Sequence, residues 1–315
     1  MRILVTGASG LLGINLALEA CKEHDVYGMA NSNGLHSDRF HVLQGDLLAP
    51  GAVPRLLDQT QPDWVIHCAA LADLDACEAD PARAQQLNTE VPRQLAEHVA
   101  RGGARLLHVS TDAIFDGKRS GYREDDLPTP LGVYARSKLA GEQAVAAADP
   151  QAIIARVNLF GYSLSGKRSL GEFFLYNLQA GKSVLGFTDV YFCPLLANDL
   201  AAIFLQMLEL KLSGLYHVVS RECLTKYEFG IRLARHFGLD ESLIQPVSWE
   251  QSGLIAARSP NLTLNTDKLT RVLGAPPPTV TTGLERFYRQ YLQGYALQIQ
   301  QMSAASYRTD SQRPA

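Results

Sequence analysis

Short apolar runs alternate with longer amphipathic segments through the first half of the chain. The runs lack the polar alternation of a half-exposed strand, so they predict strands of a parallel sheet buried on both faces, at 2–6, 25–30, 40–43, 63–70 and 105–112. The segments between them predict helices, at 14–22, 53–59 and 81–101. This order predicts a Rossmann-type, doubly wound α/β sheet over residues 1–160.

The pattern changes after residue 160. Residues 162–200 interleave glycines with aromatic side chains, which is typical either of a pocket wall or of a small hydrophobic core. Further on, one strand and two helices are predicted, at 214–219, 226–237 and 283–292. We expect residues 161–295 to form mainly a smaller C-terminal α/β lobe that binds the substrate, with later segments returning to the first domain. Residues 296–315 are polar and lack periodicity, which predicts a disordered tail.

Composition narrows the class of protein. The 315 residues are 46% hydrophobic and 19% charged, and a net charge of -3 provides no basic surface for nucleic acid or an anionic membrane. Five scattered cysteines without zinc spacing predict buried thiols in a reducing compartment and no metal site: Cys21, Cys68, Cys77, Cys193 and Cys223. The first strand follows Met1 directly, which leaves no room for a signal peptide, so we expect a cytoplasmic protein that acts on a small molecule.

A glycine-rich turn joins the first predicted strand to the first predicted helix. Glycines there allow a tight turn, close approach of the backbone to a phosphate, and close packing of helix on sheet. The positive N-terminus of the helix would bind the pyrophosphate of a dinucleotide, the alternative being a turn without a ligand. The expected cofactor contacts in this turn are Gly7, Ser9, Gly10, Leu11, Leu12 and Gly13.

The end of the second predicted strand bears on which nicotinamide cofactor is used. NAD-binding domains usually carry a carboxylate there for the ribose 2′-hydroxyl, and this chain has Ala30. Without the carboxylate a 2′-phosphate is tolerated, and Asn31 and Ser32 could hydrogen-bond it, with Arg39 as a further candidate. The sequence therefore favours NADP(H), with NAD(H) possible.

Other cofactor contacts are expected at the carboxyl ends of the next strands. Asp46, with Leu47 beside it, would accept a hydrogen bond from the adenine amino group, or Asp46 would instead be the N-cap of the next helix. Ala69 and Ala70 are small enough for the cofactor's ribose to pack against their backbone. Asn88 is a further candidate, the alternative being a surface polar residue.

Tyr134 and Lys138 lie four residues apart in a segment that predicts a helix, so they would share one helical face. A lysine one turn away favours the phenolate and would lower the tyrosine's pKa from its ordinary value of about 10. Ser110 and Thr111 end a predicted strand and would arrive beside this pair. A hydroxyl there could hold a substrate carbonyl, although Ser110 could equally cap a helix or turn.

Several segments together carry a family resemblance. They are the glycine run 7–13, the strand end 68–70, and the stretches 110–117, 134–142 and 156–161. Together they resemble an extended short-chain dehydrogenase/reductase, and within that superfamily the dTDP-4-dehydrorhamnose reductase branch, over roughly residues 1 to 290. The resemblance implies hydride transfer to the C4 ketone of a nucleotide sugar. Thr111 would hold the carbonyl, Tyr134 would protonate its oxygen, and Lys138 would bind the nicotinamide ribose and lower the tyrosine's pKa.

The same resemblance implies the remaining site residues. Further cofactor contacts are implied at Ser110, Tyr134, Lys138 and Val157. Substrate contacts are implied at Thr111, Asp112, Ala113, Asn158 and Arg258. The implied partner is a nucleotide sugar, and a homodimer is compatible with the family. Two positions depart from the branch, because Ala113 and Leu159 stand where an aromatic residue and a tryptophan are often found.

Two alternatives stay open from the sequence. The same branch includes the regulatory beta subunit of methionine adenosyltransferase, which looks like a reductase, binds NADP and serves as a partner-binding subunit. Loss of the two aromatic sugar contacts would fit such a subunit, whereas the intact set of Thr111, Tyr134 and Lys138 favours a catalyst. The other alternative is an NAD-dependent nucleotide-sugar epimerase, which Ala30 disfavours.

Overall fold

The secondary structure comes from a computed structural model that describes residues 1–31, 34–249 and 259–303. The strands are β1 (Arg2–Thr6), β2 (Asp25–Ala30), β3 (His41–Gln44), β4 (Trp64–His67), β5 (Arg105–Thr111), β6 (Ile153–Val157), β7 (Leu159–Phe160), β8 (Val184–Phe187), β9 (Tyr191–Phe192), β10 (Leu195–Leu196), β11 (Gly214–Val218), β12 (Leu224–Thr225) and β13 (Ile244–Val247). The helices are α1 (Leu11–Ala20), α2 (Ala52–Thr60), α3 (Leu74–Ala79), α4 (Pro81–Gln85), α5 (Val91–Gly102), α6 (Val133–Ala148), α7 (Leu170–Gln179), α8 (Ala197–Glu209), α9 (Lys226–Phe237), α10 (Asp267–Leu273), α11 (Val280–Leu292) and α12 (Tyr295–Gln301). Within the described ranges no helix has the length and apolar character needed to cross a membrane.

Seven parallel strands form the central sheet, in the order β11-β6-β5-β4-β1-β2-β3. From β1 the chain builds outward to β3 on one side, and then from β4 outward on the other. The order therefore reverses between β1 and β4, and in such sheets ligands bind at the carboxyl ends of the strands beside this reversal. This is the predicted doubly wound, Rossmann-type sheet, and β11 from the second half of the chain completes its far edge.

Helices cover both faces of the sheet, which is why its inner strands are mainly apolar and lack a polar face. Ile3 and Val5 are fully buried on the face covered by α1 and α8. Leu4 points the other way and packs with Val53 of α2 and Leu95 of α5. The two hydrophobic layers hold β1 rigidly, and β1 leads directly into the glycine turn.

The second half of the chain adds smaller sheets and an aromatic core. Three two-stranded pairs form there, β7 with β10, β9 with β12 and β8 with β13. Phe160 meets Phe229 of α9 and Phe287 of α11 edge to face, with ring centroids 5.1 and 5.7 Å apart. Phe174 of α7 joins this core, whereas Tyr191 lines a cavity, so each interpretation of the aromatic residues is right for some of them.

The prediction of disorder from residue 296 onward is wrong for residues 296–303. The helix α12 occupies most of that range, and its Ala296 and Ile299 are buried against the main core. Beyond it, Ser303 forms a bridge with Leu35. Two apolar residues three apart suffice to dock one short helix, but they are too few to show a period among polar neighbours. Residues 304–315 lie outside the described part of the chain.

The prediction of free, buried thiols is also wrong for two cysteines. Cys193 and Cys223 form a disulfide across 30 residues of sequence. The strands β9 and β12 pair with Phe192 opposite Leu224, and this register brings the two flanking cysteines together. Of the three other cysteines only Cys77 is buried. A disulfide set by strand register leaves no spacing signature in the sequence, which is why the pattern did not reveal it.

Candidate active site

The glycine turn after β1 forms a cradle that only glycine can line. Gly7 has a φ of +69°, and a Cβ there would lie 2.7 Å from the backbone nitrogen of Ala69. A Cβ on Gly13 would lie 2.2 Å from the Gly7 carbonyl oxygen. Gly10 is the N-cap of α1 and supplies no side chain to it. The N–H groups of the first turn are thus left for an anion, and the cradle fits the pyrophosphate of a dinucleotide.

The other residues predicted to contact the cofactor around the cradle differ in how far their side chains are exposed. Leu12, Leu47 and Val157 have side chains buried in the hydrophobic core, so they could meet a cofactor only through backbone atoms. Leu11, Ser9, Ala69 and Ala70 are half-buried. The close approach of Gly7 to Ala69 places the end of β4 directly against the turn, as the sequence led us to expect.

Ala30 ends β2, as predicted, and is 2% exposed. Its carbonyl accepts a hydrogen bond from the N–H of Gly45 at 3.0 Å, which fixes the start of the loop after β3. Asn31 follows and is exposed, while Ser32 lies outside the described residues. The end of the strand therefore carries a methyl group where a carboxylate would repel a phosphate.

Arg39 does not lie at this end of the sheet. β3 begins at His41, which pairs with Tyr27, about 10 Å before the end of β2 at 3.3 Å per residue. Arg39 precedes His41 and lines a surface cavity with Leu18 and Gln298. The expectation that Arg39 reaches a 2′-phosphate is therefore wrong, because the segment from residue 34 to residue 40 returns to the amino end of β2.

Asp46 caps a turn rather than a helix. It is exposed, and its Oδ1 accepts a hydrogen bond from the N–H of Leu48 at 2.9 Å. α2 begins only at Ala52, with Gly51 as its N-cap, so the alternative in which Asp46 caps that helix is wrong. A contact between Asp46 and adenine stays a prediction.

Asn88 lies on a π-helical turn, Gln86–Glu90, between α4 and α5. It is fully buried, so the surface alternative is wrong. Its Oδ1 accepts from the N–H of Leu71 at 2.8 Å, and its Nδ2 donates to the Leu71 carbonyl and to the Ser137 hydroxyl, each at 3.0 Å. Asn88 thus ties the loop after β4 to α6, and any effect of its side chain on a cofactor passes through that loop.

Tyr134 and Lys138 share one face of α6, and the Thr111 hydroxyl lies close enough to Tyr134 to favour the phenolate. Lys138 is buried, its Nζ donates to the Val109 carbonyl at 2.7 Å, and burial lowers its pKa to about 8. Burial raises the pKa of Tyr134 to about 12, and the nearby charge of Asp112 acts in the same direction. The expected lowering by Lys138 is therefore wrong for the protein in this structure. A phenol with this pKa is protonated at neutral pH and suited to donate a proton.

Ser110 donates a hydrogen bond to a buried ion pair, Glu142 with Arg156, that was not predicted from the sequence. Its Oγ donates to Oε1 of Glu142 at 2.5 Å, so it neither caps a helix nor has a proton left for a cofactor. Arg156 holds the same carboxylate from β6, with Nε 3.0 Å from Oε1 and Nη2 2.8 Å from Oε2. All three side chains are buried. The network fixes α6 against β5 and β6, and hence Tyr134 against Thr111.

A cavity of about 430 Å³ opens in front of Tyr134, a size typical of small-molecule sites. Ala113 and Asn158 line it, as predicted for substrate contacts. Thr111 and Asp112 are buried, while Arg258 lies outside the described residues. Part of the lining comes from the second half of the chain: Tyr191 and Phe192 lie in the segment for which a pocket wall was one of the two interpretations, whereas Lys226 was not predicted.

One sequence signal could have located part of that lining. Thr225 and Glu228 form a capping box at the start of α9, each side chain bonding the other's backbone N–H. A threonine followed three residues later by a glutamate is a recognised signature of a helix start. Together with the helix predicted at 226–237, this signature places Lys226 at the first position of that helix, beside the end of β12.

Proteins of known family share the sequence and the fold of this chain. The family model of the RmlD substrate binding domain matches residues 1–293. The chain belongs to the RmlD family. A dTDP-4-dehydrorhamnose reductase from Mycobacterium tuberculosis is 34% identical to this RmlD-family chain over 266 residues, which make up 82% of this chain and 83% of that protein.

A second relative is named as a subunit of another enzyme rather than as a reductase. Methionine adenosyltransferase 2 subunit beta of Xenopus tropicalis is 34% identical over 278 residues, 86% of this chain and 82% of that protein. Among solved structures, dTDP-4-dehydrorhamnose reductase from Bacillus anthracis in complex with NADP matches with a TM-score of 0.78 at 26% identity, over 92% of this chain and 99% of that one. RmlD membership and the Rossmann-type fold identify an NAD(P)-dependent oxidoreductase, which confirms the resemblance seen in the sequence.

Proposed function

We propose that this RmlD-family protein is an NADPH-dependent reductase of a nucleotide-linked 4-keto sugar, similar to dTDP-4-dehydrorhamnose reductase. The observation that carries the proposal is the proximity of the Thr111 hydroxyl to Tyr134, whose phenol is protonated and lines the cavity, with Lys138 one turn further along α6. The relative from Mycobacterium tuberculosis and the solved structure from Bacillus anthracis, both named as this reductase, support the substrate class.

The proposed chemistry adds a hydride to a carbonyl carbon and a proton to its oxygen. NADPH, when bound in the cradle at α1, supplies the hydride. Thr111 and Tyr134 bind the carbonyl oxygen, and Tyr134 donates its phenolic proton to that oxygen as negative charge develops there. Lys138, held by the Val109 carbonyl, binds the nicotinamide ribose. The product is the alcohol, and the phenolate is reprotonated from solvent.

The cofactor preference follows from the end of β2. Ala30 offers no carboxylate to pair with the ribose hydroxyls of NAD or to repel the 2′-phosphate of NADP. The Bacillus anthracis reductase, whose structure contains NADP, supports the same choice. NADP(H) is the favoured cofactor, and NAD(H) is accepted more weakly.

The division of labour between the two halves of the chain is part of the proposal. Residues 1–160 hold the cofactor, because the glycine cradle and Tyr134 both belong to that half. Residues 161–295 mainly hold the nucleotide sugar. Tyr191 and Phe192 of β9 and Lys226 of α9 support this, since they line the same cavity as Tyr134.

The test is NADPH oxidation by the purified protein with a panel of dTDP-, UDP- and GDP-linked 4-keto sugars. Tyr134→Phe keeps the ring and removes the proton, so kcat should fall about 10²- to 10⁴-fold while the NADPH dissociation constant stays unchanged. Tyr288→Phe, on α11 away from the cavity, is the matched control and should turn over normally. Full turnover by Tyr134→Phe would remove the phenol from the mechanism.

A regulatory role is the second candidate, favoured by the 34% identity to methionine adenosyltransferase 2 subunit beta. Such a subunit would bind NADPH and turn over no member of the sugar panel. It would also form a stable complex with a methionine adenosyltransferase catalytic subunit on size-exclusion chromatography. Turnover of any panel member at a rate that depends on Tyr134 decides in favour of the reductase.

A further inference from the structure

Asp112 is a buried carboxyl at the centre of the site that the chemistry above does not use. It begins a 3-10 turn, Asp112–Ile114, directly after β5, and is 4% exposed. Its Oδ1 accepts from the Thr111 hydroxyl at 3.2 Å, and its Oδ2 accepts from Nδ2 of Asn158 at 2.5 Å. Both oxygens are therefore engaged by side chains placed beside the cavity.

The hydrogen bonds of Thr111 connect the Asp112 carboxyl to the proposed carbonyl reduction. A threonine hydroxyl has one hydrogen and two lone pairs. The Thr111 oxygen accepts from the N–H of Ala113 at 3.1 Å and lies near the phenol of Tyr134. When Asp112 is ionised, its Oδ1 takes the only hydrogen of Thr111, which leaves none for a substrate carbonyl. When Asp112 is protonated, it can donate to Thr111 instead, and the threonine hydrogen is released toward the cavity.

The charged groups around Asp112 make both states accessible. Burial raises the pKa of this carboxyl to about 6, against the hydrogen bonds from Asn158 and Thr111 and the positive charge of Lys226 on α9, which favour ionisation. From α6, Tyr134 responds to it, since the charge of Asp112 raises the pKa of the phenol. Cys77 of α3 acts on the phenol in the same direction. The carboxyl and the phenol are thus electrostatically coupled.

We propose that Asp112 is a positioning residue that sets the direction in which the Thr111 hydroxyl donates, and that its protonated form is the one competent for carbonyl reduction. The proposal rests on the reductase function proposed above. Asn158 has a part in it, because its amide donates to the ionised carboxylate and so favours the form in which Thr111 is turned away from the cavity.

The first measurement needs no substrate. Carbon NMR of protein labelled at the aspartate carboxyls, with the Asp112 signal assigned by its loss in Asp112→Asn, should show a carboxyl that titrates near pH 6. Asn158→Ala removes a donor to the ionised form, so the same signal should titrate at a higher pH. A signal at the ordinary aspartate value of about 3.9, unmoved by Asn158→Ala, would overturn the proposal.

The second measurement is the pH profile of turnover. Loss of one donor to a reacting oxygen costs about 10²-fold, and Tyr134 still donates, so wild-type kcat should fall about tenfold as pH rises through the Asp112 ionisation. Asp112→Asn mimics the protonated acid, with its carbonyl toward Asn158 and its amide toward Thr111, and its profile should be flat over that range. In Asn158→Ala the fall should occur at higher pH.

The outcomes separate this proposal from the proposed function and from a purely structural role. A uniform loss of turnover in Asp112→Asn, with the wild-type pH profile retained, would show that Asp112 only supports the fold. If Asp112→Asn does not fold, the NMR titrations of wild type and Asn158→Ala decide. A carboxyl that titrates near pH 6 and shifts in Asn158→Ala, in a protein that turns over no 4-keto sugar, would overturn the role of Asp112 in reduction together with the proposed function, whereas turnover with a pH profile unchanged by Asp112→Asn would overturn the role of Asp112 alone.

Discussion

The disulfide between Cys193 and Cys223 gives a prediction with a calculable magnitude. A cross-link stabilises mainly by restricting the unfolded chain, and its loop here spans 30 residues. The loop-entropy relation assigns such a loop about 3 to 4 kcal/mol at 25 °C. Replacing both cysteines by alanine should lower the free energy of unfolding by that amount, a large part of the 5 to 15 kcal/mol that is typical of folded proteins.

The location of the bond adds a functional consequence. It joins the ends of β9 and β12, two strands of two residues each, which form few hydrogen bonds of their own. Phe192 precedes one cysteine, and Lys226 follows the other by three residues, and both line the cavity. Loss of the cross-link should therefore raise KM for the proposed sugar substrate several-fold, while NADPH binding, proposed at the glycine turn before α1, is unchanged.

Urea unfolding of wild type and of the double alanine variant, each with and without a thiol reductant, measures the first effect. Reduction should destabilise wild type and leave the double variant unaffected. Cys21→Ala is the control, because Cys21 is a free thiol at the C-cap of α1, and the reductant should destabilise this variant as much as wild type. Titration of thiols in denaturant should find three in the oxidised protein. Five free thiols, or no effect of reductant on unfolding, would refute the reasoning.

Two further predictions concern the buried ion pair and the cofactor. Glu142→Gln leaves the Arg156 guanidinium buried without its counter-charge, so the free energy of unfolding measured in urea should fall by about 3 to 5 kcal/mol. The control is Glu97→Gln, which breaks a partly exposed pair and should lower that free energy by under about 1 kcal/mol. Equal losses in the two variants would contradict the structural role of the buried pair. Ala30→Asp should reverse the cofactor preference by about ten- to hundredfold, because the carboxylate repels the 2′-phosphate and accepts from the ribose hydroxyls. Calorimetric titration of both cofactors checks it, and tighter NADH binding by wild type would show that the end of β2 was misinterpreted.

The cofactor half of the fold could be predicted because its signals are local. β4 is buried throughout and β1 at every position after Arg2, so both appear in the sequence as mainly apolar runs. Gly7 and Gly13 are dictated by backbone contacts within one turn, and the Tyr134 and Lys138 pair by a single helical turn. In each case the pattern and its physical cause lie within a few residues of each other.

The errors share the opposite property, since each depends on contacts between distant segments. Ser110 was expected to cap a helix or turn or to contact the cofactor, but its hydroxyl donates to Glu142 on a helix 32 residues later, and a cofactor contact stays a prediction. Arg39 was placed near the 2′-phosphate by proximity in sequence, and the register of β3 carries it away. The pKa of Tyr134 was expected to fall because of Lys138, and the balance of burial against hydrogen bonding could be judged only once the fold was known.

The substitutions at Ala113 and Leu159 had favoured a regulatory subunit, since the resemblance led us to expect aromatic side chains at both. The structure weakens that argument. Leu159 packs against the main core, whereas Ala113 borders the cavity. The aromatic surface of the cavity comes instead from Tyr191 and Phe192 of β9, on the wall secured by the disulfide, and Tyr191 is 41% exposed. An apolar sugar face can pack on an aromatic ring from either wall. The two substitutions therefore indicate a change in how a sugar would be held, and turnover that depends on Tyr134 is what separates a catalyst from a regulatory subunit.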